Sequence, residues 1–178
     1  RTGKLFGYMH YKIKPDIICC GKGTSSSLPL SLVLSSKRIM DIAGQGMLSS
    51  THSANPLACV SGEANLKEII NKKLIQKSAK LGKVLHKILI NIKNKYSNKI
   101  KIDIHGTGLV AGVIFKSLED KPLGSLCSEI CKKSLLNGLI LVHTGRESIK
   151  IGPPLMISES ALKEGLKIFD QCIDQSLK

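Results

Sequence analysis

Residues 15–35 have the sequence PDIICCGKGTSSSLPLSLVLS, which places a single lysine between two apolar runs. The first run, residues 17–20, is unbroken and lies between a Pro-Asp pair and Gly21, a pattern that predicts a strand buried on both faces. The second run predicts another strand over residues 28–35, beside the first in a mixed sheet. Between them, Gly21-Lys22-Gly23 and the hydroxyl-bearing residues that follow predict a polar turn at the end of the first strand.

Lys22 is the residue in this segment that most needs an explanation. A lysine at the end of a buried strand must find a partner, lower its pKa or be used covalently. Flanking glycines allow close approach of the backbone, and nearby hydroxyls suit a polar ligand. Because only a neutral amine attacks a carbonyl, a desolvated Lys22 fits Schiff-base chemistry. The same tripeptide also fits a lysine that extends from a turn into solvent, and the tripeptide alone does not distinguish the two.

Further motifs surround this segment in one order and extend along the whole chain. They are Arg1-Thr2-Gly3-Lys4-Leu5-Phe6, Pro15-Asp16-Ile17, Pro29-Leu30-Ser31, Ser50-Thr51-His52-Ser53-Ala54-Asn55-Pro56-Leu57-Ala58-Cys59, His105-Gly106-Thr107-Gly108-Leu109 and Ile149-Lys150-Ile151-Gly152-Pro153-Pro154-Leu155. Together they closely resemble the class III aminotransferases, which are fold-type-I enzymes that use pyridoxal 5'-phosphate (PLP). Several motifs at compatible spacing are far more specific than any one of them.

The resemblance implies roles for four residues. Lys22 matches the lysine that holds PLP as an internal aldimine and then moves a proton between the substrate Cα and the cofactor C4'. Thr51, with Ser50 as a second candidate, matches the residue that contacts the cofactor phosphate of the neighbouring subunit, which implies a homodimer with shared active sites. Lys150 stands where many members carry an arginine that clamps the substrate carboxylate. Lysine cannot form that two-pronged contact, and an exposed strand lysine is the alternative interpretation.

The residues just before Asn55-Pro56 fit a phosphate site on chemical grounds as well. Proline near the first turn is a helix-start signal. Hydroxyls and backbone amides before a helix N-terminus suit a phosphate group. A capping loop without a ligand fits the same spacing equally well, so the preference for phosphate at Thr51 comes from the resemblance.

The fold class implied by the resemblance is α/β, PLP-dependent transferase fold type I. Residues 1–75 are expected to form the C-terminal part of the large α/β/α cofactor-binding domain, and residues 76–178 the small C-terminal α/β domain. Since the first residue is Arg and the first motif lies mid-chain in the family, we expect the sequence to be the C-terminal part of a longer protein. The family's phosphate-cradling loop and the acidic residue that pairs with the pyridine nitrogen precede this part, so we expect these 178 residues to be inactive alone.

The pattern outside the lysine segment predicts alternating helices and short strands. A long amphipathic helix carries an apolar stripe at three- and four-residue steps, formed by Leu81, Val84, Leu85, Ile88, Leu89 and Ile92. Further helices are predicted over residues 37–43 with Ser36 as cap, over 57–71, over 123–137 closed by Gly138, and after the capping residue Ser158. Strands are predicted over residues 99–104, 108–115, 139–142 and 148–151.

Composition restricts the classes of partner. The 27 basic and 13 acidic residues give a formal net charge of +14, while the sequence has no Trp, three Phe and three Tyr. Because the lysines are spread along helices with few aromatic residues among them, the pattern indicates a solvated basic face and no nucleic-acid partner. Such a field still favours anionic ligands, including a phosphate cofactor.

Cysteine spacing and hydropathy indicate a cytoplasmic protein without a metal site. The six cysteines include no C-x-x-C pair, a pattern typical of reduced thiols in a core. No apolar run approaches about 18 residues, so we expect no membrane partner. The first 15 residues lack the pattern of a signal peptide.

The function predicted from these observations is that of a PLP-dependent transaminase, which moves an amino group from an amino acid or ω-amine to a 2-oxo acid. The loop around Thr51 is most similar to ω-amino-acid (4-aminobutyrate-like) members. Three alternatives remain: a related PLP aminomutase or decarboxylase, an inactive fragment lacking the N-terminal half of the site, and a basic nucleic-acid-binding module.

Overall fold

The computed structural model describes all 178 residues, and their contacts divide into two units. Residues 8–74 form one, which we call the lysine unit. Residues 1–7 together with residues 75–178 form the other, which we call the core unit. The assignment of residues 1–75 and 76–178 to a large and a small domain stays a prediction, although the main division of contacts falls next to residue 75.

The core unit is built on a four-stranded antiparallel sheet. Its strands are β3 (Lys101–Gly106), β4 (Ala111–Lys116), β5 (Val142–His143) and β6 (Ser148–Ile151), in the order β3-β4-β6-β5. In β4, alternate residues are buried and partly buried, as expected for a strand with one face on a core. The register pairs Ile102 with Phe115 and Val113 with Ile149.

Three helices supply the rest of the core: α3 (Leu74–Lys95), α4 (Gly124–Leu136) and α5 (Glu159–Ser176). The predicted stripe of α3 is confirmed, since Leu81, Leu85, Leu89 and Ile92 are buried. Ser158 caps α5 as predicted, because its hydroxyl accepts a hydrogen bond of 3.1 Å from the Ala161 N–H. The Phe115 and Phe169 rings, one from the sheet and one from α5, meet edge to face with centroids 6.4 Å apart.

The lysine unit contains β1 (Ile17–Cys20), β2 (Leu32–Ser35), α1 (Lys37–Met40) and α2 (Pro56–Asn71). The two strands pair antiparallel, from Ile17 with Ser35 to Cys20 with Leu32. The predicted adjacency of the strands is therefore confirmed, whereas the mixed sheet is wrong, because these two strands form a separate antiparallel pair. The second strand also begins at Leu32, later than predicted, because Pro29 has no N–H for a strand ladder.

The prediction that the first strand is buried on both faces is wrong. Ile17 is 52 % exposed and Cys19 is exposed, and only the alternate residues are partly buried. A two-stranded sheet covers neither of its faces by itself, so an apolar run does not become a central strand here. Ser36 occupies the N-cap position of α1, but its side chain makes no capping hydrogen bond.

The structure contains neither a membrane-spanning helix nor a cluster of metal-ligating side chains. No helix combines the length and the apolar character needed to cross a membrane. No group of three or more His, Cys, Asp or Glu residues is placed to hold a metal ion.

Candidate functional site

Lys22 opens a short 3-10 turn, Lys22–Thr24, directly after β1. Its φ of 47° lies in the left-handed region, which is uncommon for a residue with a side chain. The turn is closed by Thr24, whose backbone N–H and hydroxyl both donate to the Gly21 carbonyl at 3.1 Å. Outliers of this kind cluster at functional sites, where the surrounding structure holds them in place.

The amine of Lys22 has no partner in the structure. The side chain is exposed and takes part in no hydrogen bond or ion pair. A Cβ added at Gly21 or Gly23 would meet no heavy atom within 4 Å, so the space around the turn is open. The burial expected for this lysine is therefore not provided by these residues, because β1 and β2 leave their own apolar side chains exposed.

Helix α2 contacts the lysine turn through two polar side chains. The Asn65 amide donates to the carbonyls of Gly23 at 2.7 Å and of Thr24 at 2.9 Å. One helical turn earlier, the Ser61 hydroxyl donates to the Ser25 carbonyl at 2.8 Å. Neither residue is among the site residues predicted from the sequence. The sequence does show that Ser61 and Asn65 are four residues apart, a spacing that places two polar side chains on one face of a helix.

Close packing brings α2 onto the segment that follows the turn. A Cβ added at Gly62 would lie 2.6 Å from Leu30 Cδ2 and 3.8 Å from the Thr24 carbonyl oxygen. Ser25 is fully buried at this contact, and its hydroxyl donates to the Leu28 carbonyl. The backbone around Lys22 is thus fixed from the helix side while its side chain stays open.

The two phosphate candidates lie in a surface loop that ends at the start of α2. Ser50 and Thr51 are exposed, and neither hydroxyl has a hydrogen-bond partner. Ser53 stabilises the loop, since its hydroxyl donates to the Ser50 carbonyl at 2.7 Å. Asn55 caps α2 by accepting from the Ala58 N–H at 3.2 Å, so the predicted helix start is confirmed.

Lys150 lies on β6 of the core unit, with its side chain exposed and without an ion pair. Its Cε and the Arg1 guanidinium flank Gly152, at 3.7 and 3.8 Å from the position of an added Cβ. Arg1 also donates to the Pro153 carbonyl at 2.6 Å. Lys150 further borders an apolar cavity of about 240 Å³ that is lined by β6, the segment before β5 and the start of α5.

The predicted site residues therefore fall in two places. Lys22, Ser50 and Thr51 belong to the lysine unit, where no hydrogen bond joins Lys22 to the other two. Lys150 belongs to the core unit. Each of the four side chains is exposed and ends in a group without a hydrogen-bond or ion-pair partner in the protein.

The family model described as Aminotransferase class-III matches residues 1–173 of the chain. The chain belongs to the class III aminotransferases. This confirms the family inferred from the motifs around Lys22, and with it the dependence on PLP that is common to the family. The chain is 34 % identical over 174 residues to an acetylornithine aminotransferase of Synechocystis, covering 97 % of this chain and 39 % of that protein.

Two other aminotransferases are similar to this chain over nearly its whole length. An ornithine aminotransferase of Saccharomyces cerevisiae is 37 % identical over 177 residues, covering 98 % of this chain and 41 % of that protein. The crystal structure of an acetylornithine aminotransferase from Elizabethkingia anophelis superposes with a TM-score of 0.87 at 31 % identity, covering 98 % of this chain and 43 % of that chain. The α/β fold of the C-terminal part of fold type I is thereby confirmed. The chain spans about two fifths of the length of the curated relatives it matches.

Proposed function

We propose that the full-length protein is a transaminase that carries PLP on Lys22 and moves an amino group from an amino acid or ω-amine to a 2-oxo acid. The observation that carries the proposal is the unpaired amine of Lys22, exposed on a turn with a left-handed backbone, within a family match over residues 1–173. An amine in this state can form a covalent bond to an aldehyde without first breaking an ion pair.

The residues of the lysine unit fit the cofactor. PLP supplies an aldehyde that reacts with amines and a conjugated ring that withdraws electrons from the neighbouring carbon. Lys22 Nζ would hold it covalently, be displaced by the incoming amine, and then take the proton from the substrate Cα as general base and return one as general acid. The open space beside Gly21 and Gly23 allows a planar ring to approach the turn.

We propose that Thr51, with Ser50 beside it, binds a cofactor phosphate of the neighbouring subunit in a cytoplasmic homodimer. Both hydroxyls are free, and the loop that carries them is shaped by Ser53 and by the Asn55 cap, not by these two side chains. Hydroxyl groups in a net positive field suit a phosphate. The dimer is tested by the mass of the full-length protein in solution, and Thr51 by the PLP affinity of Thr51→Ala.

We propose that Lys150 attracts the substrate carboxylate. Lysine offers a point charge where an arginine would offer two parallel hydrogen bonds. It therefore restricts the orientation of the substrate carboxylate less than an arginine would. Arg1 lies nearby, and one of its guanidinium nitrogens donates to the Pro153 carbonyl. The names of the relatives, acetylornithine aminotransferase and ornithine aminotransferase, suggest an amino donor of the ornithine type. A panel of amino donors should include ornithine, N-acetylornithine and 4-aminobutyrate.

The direct test is covalent trapping. The full-length protein is loaded with PLP, reduced with borohydride, digested and analysed by mass spectrometry. We expect a pyridoxyl group on the peptide that contains Lys22 and none in Lys22→Ala. Wild-type protein without the label, or with the label on another lysine, would falsify the proposal.

The reaction class needs a second measurement, because aminomutases and decarboxylases use the same lysine. A transaminase given an amino donor without an acceptor is expected to leave pyridoxamine phosphate and to release one carbonyl product for each site, a 2-oxo acid from an α-amino donor or an aldehyde from an ω-amine. Release of carbon dioxide identifies a decarboxylase. An isomeric amino acid formed without an acceptor identifies an aminomutase.

A further inference from the structure

We infer that Asn65 is a positioning residue for Lys22, which it holds in the left-handed conformation that presents its amine. Ser61, on the same face of α2, supports this role by a hydrogen bond to the Ser25 carbonyl. The inference deepens the proposed function and rests on it for the role of Lys22. Its first part, that Asn65 fixes the turn, can be measured without any cofactor.

The lysine turn has few hydrogen bonds of its own. Lys22 has a φ of 47° and lies between two glycines, which have the greatest backbone freedom of all residues. A left-handed residue with a side chain persists only when its surroundings impose it. Within the turn itself, the Thr24 backbone and hydroxyl both donate to the single carbonyl of Gly21.

Asn65 supplies the missing constraint from outside the turn. Its amide nitrogen donates to two consecutive carbonyls, those of Gly23 and Thr24, at 2.7 and 2.9 Å. Because both partners are acceptors, only the amide end of the side chain can face them. The contact fixes the orientation of the Gly23–Thr24 and Thr24–Ser25 peptide groups, which begin one residue after Lys22, and so restricts the backbone from which the lysine side chain leaves.

The position of Asn65 is itself rigid. It lies on a helix of 16 residues that is capped by Asn55 and that begins with Pro56. Ser61, one turn earlier, donates to the Ser25 carbonyl at 2.8 Å, so α2 contacts three consecutive carbonyls, of Gly23, Thr24 and Ser25. A helix is a more precise support for a reactive group than a loop.

The experiment compares full-length wild type, Asn65→Ala, Asn65→Asp and Asn71→Ala. Asn65→Asp keeps the shape but replaces the donor by a carboxylate, which the two carbonyls repel. Asn71 is the matched control, because it lies on the same helix, is exposed and has no side-chain hydrogen bond. Hydrogen exchange of the peptide spanning residues 17–27 is measured on each protein without cofactor.

We expect hydrogen exchange in residues 17–27 to be faster than in wild type for both Asn65 variants. For Asn71→Ala we expect the wild-type exchange rate. With PLP bound, we expect kcat to fall about 10- to 100-fold with little change in KM, as for a misplaced reactive group. The pH titration of the visible absorbance of the bound cofactor should also shift, since it reports the surroundings of Lys22 Nζ. A defect in folding alone would lower the active fraction without shifting that titration.

The outcomes separate the two proposals. If borohydride labels Lys22 in wild type and Asn65→Ala keeps wild-type exchange, kcat and titration, the positioning role is overturned and the proposed function stands. If wild-type Lys22 is not labelled, the proposed function fails, and the exchange measurement still decides whether Asn65 holds the turn. Should Asn65→Ala not fold, Asn65→Asp and Ser61→Ala give the same readouts.

Discussion

Cys127 on α4 is a thiol whose ionisation is controlled by its place in the core. It is fully buried, and this burial raises its pKa from the ordinary value of 9.0 to about 12. Cys131, one helical turn away, adds to the effect. Between these two pKa values, the unfolded chain loses the proton while the folded chain keeps it, so the free energy of unfolding decreases as pH rises.

We predict that the stability advantage of wild type over Cys127→Ala is constant below about pH 9 and shrinks above it. Urea unfolding across a series of pH values measures the advantage. Cys59→Ala is the control, because it removes an exposed cysteine that lies outside the core. If the difference in unfolding free energy between wild type and Cys127→Ala stayed constant well above pH 9, the raised pKa of Cys127 would be contradicted.

Close backbone packing joins α3 to the turn between β3 and β4. A Cβ added at Gly82 would lie 2.4 Å from Gly108 Cα, and one added at Gly108 would lie 2.4 Å from the Arg1 carbonyl oxygen. Gly108 also has a φ of 60°. In the same place, the Leu109 N–H donates to the Arg1 carbonyl at 2.8 Å. The glycines are thus required for the N-terminal residues to pack in the core unit.

We predict that Gly108→Ala destabilises the protein by about 2–5 kcal/mol, the sum of a left-handed alanine and an overpacked contact. Gly112→Ala is the matched control, since it lies in β4 and an added Cβ would meet nothing within 4 Å. Thermal or urea unfolding of both variants gives the comparison. Equal stability of the two variants would show that the contact at Arg1 can relax.

Apolar burial is distributed very unevenly over the whole molecule. The buried hydrophobic cluster of 20 residues lies entirely in the core unit. In the lysine unit, the only buried apolar residues are Ala58 and Leu74, while Ile42 and Met47 are 79 and 75 % exposed. The two units therefore differ strongly in how much apolar surface they bury within these 178 residues.

We predict that brief thermolysin treatment of the 178-residue chain cuts first near Met47 and Leu48. These apolar residues are exposed on a loop without helix or strand, where a protease can bind the backbone. Leu136 and Ile140 of the core unit serve as internal controls, since they are equally exposed but lie next to the end of α4. First cuts at those two residues would contradict the difference in stability between the units.

The helices were largely predictable because their signals are local. Asn55-Pro56, the stripe of α3, Gly138 and Ser158 each act through residues within about four positions along the chain. Gly138, with a φ of 81°, follows α4 as the expected terminating residue. The family was also accessible, because the order of short motifs is a property of the sequence alone.

The partners of these elements were not predictable from one sequence. The strand at residues 17–20 has the same composition as a buried strand, and only the absence of covering layers leaves Ile17 exposed. Arg1 packs against Leu109 across 108 positions, and Asn65 reaches Gly23 across 42. Residue type and periodicity describe neighbours along a helix or strand. Which distant backbone group a side chain meets depends on how the chain closes on itself, and that is known only once the fold is assembled.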